Sequence, residues 1–158
     1  ESTERVTASH GLTVEPDGTL DDTDSDLLVV PGGGWNDRAD RGAWAEAQGD
    51  LPDELARRHR DGTALASVCT GGMILATADL LDGRPATTHR GALDDLRETG
   101  AEVVDARVVD DGDVLTAGGV TSGLDLALWI VERVSGIETA DTVANEMEYD
   151  RRGEVFQG

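Results

Sequence analysis

Two short apolar runs in this chain stop abruptly at glycine-rich turns. Asp26-Leu27-Leu28-Val29-Val30 ends at Pro31-Gly32-Gly33-Gly34, and Thr63-Ala64-Leu65-Ala66-Ser67-Val68 ends at Cys69-Thr70-Gly71-Gly72. Apolarity that is continuous rather than alternating marks strands covered on both faces, as in parallel sheets. Parallel strands need crossovers, and helical segments follow each run. Residues 50–60 place Leu51, Leu55 and Arg58 on one helical face. Residues 70–81 carry Met73, Ile74, Ala76, Thr77 and Leu80 at three-to-four spacing, with Asp82-Gly83 as the stop.

The rest of the chain keeps the alternation, with no internal repeat or long linker. Ala86-Thr87-Thr88-His89 predicts a short strand, and residues 91–99 a helix. Val103-Val104 and Arg107-Val108-Val109 predict a β-excursion around the turn-rich Asp110-Asp111-Gly112-Asp113. Val114-Leu115-Thr116-Ala117 then re-enters the sheet and closes at Gly118-Gly119. Thr121 or Ser122 is placed to cap a long helix through Leu124, Leu128, Ile130, Val131 and Val134. A last helix is expected over 137–147 and a polar tail over 148–158. Alternating strands and helices over 158 residues predict one α/β domain with a mostly parallel, doubly wound sheet and helices on both faces.

Charge limits the partners. The chain has 33 acidic residues against 13 basic ones, a net charge of −20, and every basic residue is arginine. Such a field repels nucleic acid and anionic membrane. Composition that is rich in Asp, free of lysine and 3% aromatic resembles that of proteins from salt-loving microbes. In molar salt the Debye length falls to about 3 Å, so an acidic surface is tolerated. An acidic protein from a GC-rich genome is the alternative. No stretch approaches the roughly 18 apolar residues of a membrane span, and no basic segment leads into an apolar one, so a cytoplasmic protein is expected.

The single cysteine, Cys69, excludes an internal disulfide and a multi-cysteine metal site. It sits where a strand must bend sharply into a helix through small residues, as in a nucleophile elbow. A helix N-terminus there favours the thiolate, the nucleophilic form of sulfur. Taken alone, a free cysteine reads first as a small buried hydrophobe; the flanking strand and the small-residue turn reverse that preference in favour of the nucleophile. Ligands bind outside the carboxyl ends of such strands, so Gly33 in the first turn can present its N–H beside that of Thr70 to developing negative charge. Of the three histidines, His59 is expected in solvent at an arginine-rich helix end and His10 in a loop. His89 lies 20 residues beyond Cys69, a separation that in a fold of this size allows it to reach the thiol, although a lone histidine is more often structural than catalytic. No two histidines share a helix face or a two-residue spacing, so neither metal nor cofactor is expected.

Val30-Pro31-Gly32-Gly33-Gly34, Ser67-Val68-Cys69-Thr70-Gly71, Ala86-Thr87-Thr88-His89 and Thr116-Ala117-Gly118-Gly119-Val120-Thr121-Ser122-Gly123-Leu124-Asp125 together resemble the ThiJ/PfpI superfamily. The likeness covers about residues 10–150 and is strongest to its isonitrile hydratase-like branch, which also forms the sensor half of certain transcriptional regulators. It implies a flavodoxin-like sandwich with a glutamine amidotransferase-like elbow at Cys69, His89 as a second catalytic residue, a small-molecule substrate and a homodimer. The intracellular protease branch follows its cysteine with histidine, where Thr70 stands here. Amidotransferases complete a triad with a late His-x-Glu, and no histidine follows Gly119. Both activities are therefore argued against. In the branch it resembles, a first strand and turn supply an acidic partner for the cysteine. Asp17 and Asp22 lie in a polar loop and do not fill that role, so a preceding strand and helix are expected in the full gene product. The resemblance implies a cysteine-dependent small-molecule enzyme of hydratase or hydrolase type. A stress sensor with an oxidisable cysteine and a metabolite-binding module without catalysis are the alternatives.

Overall fold

A computed structural model of the chain describes residues 5–8, 11–22 and 24–158; His10 lies outside them. Val6–Thr7 (β1) pairs antiparallel with Thr13–Val14 (β2), a small hairpin that the sequence pattern did not announce. Leu27–Val30 (β3) follows, then two helices, Gly42–Ala47 (α1) and Leu51–Arg60 (α2). Ala64–Val68 (β4) leads into Gly71–Thr77 (α3), and Pro85–Ala86 (β5) into a 3₁₀ turn, Arg90–Ala92, and Leu93–Arg97 (α4). Glu102–Val103 (β6), Val108–Asp111 (β7) and Val114–Ala117 (β8) precede the long helix Ser122–Ser135 (α5), then Ile137–Glu146 (α6) and Val155–Gln157 (β9).

The main sheet has the order β3-β4-β8-β7-β9. β3, β4 and β8 run parallel, β7 turns back antiparallel to β8, and β9 lies parallel to β7. β5 and β6 form a separate parallel pair. The mostly parallel α/β sheet expected from the glycine-terminated runs is thus present. Successive residues of each strand enter different cores: Leu65 and Val114 pack with Leu55, Met73, Leu75 and Leu96 on one face, while Ala66 and Leu115 pack with Leu126 and Trp129 on the other. Each fully buried leucine contributes about 1.5–3 kcal/mol relative to exposure. β3 stands at the sheet edge, which leaves Val29 53% exposed despite the continuous apolar run.

Several sequence expectations are corrected. The helix over 70–81 stops at Thr77, because Ala78 caps it and Asp79 reverses the chain at φ 57°. The strand at 86–89 is only Pro85–Ala86, since Thr87 gives its N–H to the Thr116 hydroxyl rather than to a strand partner. The polar tail over 148–158 contains β9, ordered by its ladder to β7. His59 is not solvated: its ring lies 3.3 Å from the Thr63 carbonyl and 3.4 Å from Asp113. Thr121 does precede α5 but makes no side-chain cap, and Arg107 donates to its hydroxyl at 3.3 Å instead.

Arg107 serves a larger network. Asp125 on α5 is 4% exposed and accepts from Arg107 Nε at 2.8 Å, Arg107 Nη2 at 2.5 Å, Tyr149 Oη at 3.1 Å and the Arg152 N–H at 2.8 Å. The carboxylate raises the Arg107 pKa above its ordinary value, chiefly through these hydrogen bonds. Removing Asp125 leaves the half-buried Arg107 and Tyr149 and the Arg152 N–H without their shared acceptor. Asp125→Ala is expected to cost about 3 kcal/mol, read as a fall in thermal midpoint. Asp94→Ala, which removes a 97% exposed partner of Arg97, is expected to leave the midpoint nearly unchanged.

Candidate active site

Cys69 follows the last residue of β4 and sits at φ 59°, a left-handed conformation that costs a non-glycine residue on the order of 1 kcal/mol. The surroundings hold it there. Its N–H is shared between the Ala117 and Gly118 carbonyls at 3.1 and 2.9 Å, and its own carbonyl accepts from Thr88 Oγ1 at 2.8 Å. These bonds fix the main chain of Cys69 against the end of β8 and leave the residue half-buried. The strained turn expected of a nucleophile elbow is therefore present at this residue.

The first glycine turn lies directly against the elbow. A Cβ on Gly71 would fall 2.2 Å from the Val30 carbonyl oxygen, and one on Gly32 would fall 2.4 Å from the Thr70 nitrogen. Only glycine at both positions lets the two parallel strands end this close together. The Gly33 N–H donates to Thr70 Oγ1 at 2.8 Å. Gly33 and Thr70 are thus brought together, with the Gly33 N–H turned to the threonine hydroxyl.

Residues 33–37 continue as one wall of an open cleft of about 350 Å³, whose other wall is Cys69, Thr70 and His89. Trp35, Asn36 and Asp37 in this wall carry no motif, and nothing in the sequence pattern singles them out. Distant contacts place them. Trp35 Nε1 donates to Asp95 at 2.6 Å, the Trp35 and Trp44 rings meet edge to face at 5.1 Å, and the Arg38 guanidinium stacks over Trp44 at 4.4 Å. α1 is held in the same way, since Ala43 donates to the Gly33 carbonyl at 2.6 Å. Asp37 brings the cleft its one carboxylate, 3.9 Å from Arg41.

His89 starts the 3₁₀ turn after β5, and its Nδ1 accepts the Gly91 N–H at 3.0 Å. That bond occupies Nδ1, so the neutral ring carries its proton on Nε2. His89 and Cys69 share the cleft, but no hydrogen bond joins them. The arrangement offers a thiol on a strained turn, backbone N–H groups at a strand-to-helix junction, one imidazole and one carboxylate. That is equipment for nucleophilic addition with proton transfer. Among the described residues no group of three His, Cys, Asp or Glu side chains is placed to hold a metal ion, and no helix is long and apolar enough to cross a membrane.

Comparison with known proteins agrees with this geometry. Isonitrile hydratase from Pseudomonas putida is 39% identical over 145 residues, 91% of this chain and 61% of that protein. Deglycase PfpI from Pyrococcus furiosus is 35% identical over 112 residues, 68% of this chain and 63% of that protein. The chain therefore spans less than two thirds of the length of either relative. The crystal structure of a ThiJ/PfpI family protein from Pseudomonas syringae superposes with a TM-score of 0.82 at 34% identity, covering 96% of this chain and 62% of that one. The family model described as DJ-1/PfpI matches residues 1–133, a stretch that holds the glycine turn, the cysteine elbow and His89, and the chain belongs to the DJ-1/PfpI family.

Proposed function

We propose that this chain carries the reactive centre of a cysteine-dependent small-molecule enzyme resembling isonitrile hydratase. The observation that carries the reading is Cys69 itself, held at φ 59° by its N–H bonds to the Ala117 and Gly118 carbonyls and by the bond that Thr88 donates to its carbonyl, and lining an open cleft. The 39% identity to a Pseudomonas putida isonitrile hydratase supports that reaction over the others in the family.

In this reading the Cys69 thiolate adds to the terminal carbon of an isonitrile, R–N≡C, forming a C–S bond. A proton delivered to the same carbon gives the thioimidate R–N=CH–S–Cys69. The Thr70 N–H, and the Gly33 N–H as it leaves the Thr70 hydroxyl, stabilise the negative charge that develops. His89 supplies protons from Nε2. Water then adds across C=N, and collapse of the tetrahedral adduct expels the thiolate and leaves the N-substituted formamide, R–NH–CHO. Net, one isonitrile and one water become one formamide. Asp37 is the acidic group that the cleft itself provides for relaying protons. The working form in this reading is a homodimer.

The test is to incubate the protein in molar potassium chloride with a simple alkyl isonitrile and to follow formamide by mass spectrometry. Catalytic accumulation is expected. If no formamide forms, and peroxide instead adds two oxygens to Cys69, the reading gives way to an oxidation sensor.

A further inference from the structure

A second and larger cavity, about 610 Å³, adjoins the Cys69 cleft. His89 lines both spaces, whereas Cys69 and Thr70 line only the smaller one. The wall of the larger cavity carries hydrogen-bond donors that no acceptor among the described residues takes up. Thr87 and Ser122 are 2% and 4% exposed. The bonds they donate come from their backbone N–H groups, to Thr116 Oγ1 and to the Gly119 carbonyl, and their hydroxyls face the open cavity with no partner among the described residues. His89 adds Nε2–H, free because Nδ1 takes the Gly91 N–H.

The charges point the same way. In a chain of net charge −20, ten of the thirteen arginines pair with a carboxylate, and Arg60, Arg90 and Arg152 form no ion pair among the described residues. Arg107, in this wall, is bound twice by Asp125 at 2.8 and 2.5 Å. Arg90, also in this wall, makes no ion pair among the described residues and is exposed. A guanidinium, two hydroxyls and an imidazole N–H are all donors, and the group that satisfies donors while matching the free positive charge is a carboxylate. Ala106 and Leu93 supply apolar wall for the carbon chain behind it. Asp105 is the single carboxylate in the lining, and it opposes such a ligand.

We propose that this cavity binds the carboxylate tail of the substrate, seated on Arg90 with Thr87 and Ser122, while the reactive carbon reaches Cys69 past His89. The assignment rests on Cys69 being the catalytic nucleophile. It extends that reading to a substrate class, electrophiles that carry a carboxylate.

Binding is tested apart from turnover by titrating the ¹⁵N-labelled chain with potassium glutarate, and in parallel with neutral glutaramide, at constant ionic strength. Glutarate is expected to give saturable shifts at the Gly118, Gly119 and Ser122 amides, unchanged in Cys69→Ser, and glutaramide none. Arg90→Gln should weaken glutarate about tenfold, and Asp105→Asn should tighten it. Both side chains are exposed, so neither change threatens folding. Absence of saturable shifts, or an affinity indifferent to Arg90→Gln, overturns the pocket. In the activity arm, an ω-isocyano carboxylate should be turned over with a lower KM than its methyl ester, and Arg90→Gln should erase the difference. Equal KM values overturn the assignment of the pocket to the substrate. If glutarate binds as expected while no isonitrile is consumed, the hydratase reaction falls and the carboxylate pocket stands.

Discussion

Cys69→Ser is expected to keep the fold and to lose isonitrile turnover on the order of a thousandfold or more. The sulfur plays no part in holding the elbow. The Cys69 N–H bonds to Ala117 and Gly118, and the carbonyl accepts from Thr88 Oγ1, so all three constraints on φ 59° are backbone constraints that serine inherits. What serine does not inherit is ionisation. A thiol reaches its nucleophilic form near neutral pH, while an alcohol needs a base hydrogen-bonded to it. Among the described residues no base is hydrogen-bonded to the Cys69 side chain, since no bond links it to His89 and the Nδ1 of that ring is occupied by Gly91. Steady-state kinetics on the isonitrile, run beside thermal unfolding, reads both halves of the expectation. Activity within tenfold of the parent would remove Cys69 from the chemistry, and a fall of many degrees in midpoint would make its role structural.

The parts of this molecule that were legible beforehand are those whose environment is encoded locally. β4 reads as a buried strand because every residue from Ala64 to Val68 is small or apolar, and both faces are covered by cores on opposite sides of the sheet. α5 reads as a helix because 14 residues give its periodicity room to repeat. The meeting of Cys69, Thr70 and Gly33 is legible because glycine runs at strand ends leave a pattern. α1 was missed because six residues starting at glycine, with no side-chain cap, carry no helical signature. Its stability comes from Trp44 against Trp35 and from the bond to Gly33. β9 was missed because three residues, two of them exposed, become a strand only through the ladder that β7 offers. Trp35, Asn36 and Asp37 were missed for the same reason at the site. Their position depends on Asp95, 60 residues beyond Trp35, and no local pattern carries information over that distance.

The junction between the two glycine turns sets the sharpest limit on substitution, and Gly71→Ala is expected to destabilise the protein by about 3 kcal/mol or more. The added methyl would sit 2.2 Å from the Val30 oxygen and 2.9 Å from the Pro31 oxygen. Both obstacles are main chain. A flexible side chain could swing away, but here the end of β3 must retreat from the first turn of α3, and β3 is tied to β4 through four register pairs. Overpacking that moves backbone is the costlier kind. At roughly 2–4 °C per kcal/mol for a chain of this size, the midpoint should fall by about 6–12 °C. Gly18→Ala, where a methyl meets nothing within 4 Å, is the matched control and should shift little. The same displacement pulls the 33–37 wall from Thr70 and opens the bond from the Gly33 N–H, so turnover should fall even at temperatures where Gly71→Ala remains folded. Stability lost with turnover intact would mean that the glycine turn supports the sheet without shaping the site. Both falling together, while Gly18→Ala changes neither, ties the chemistry at Cys69 to the close approach of two strand ends that glycine alone permits.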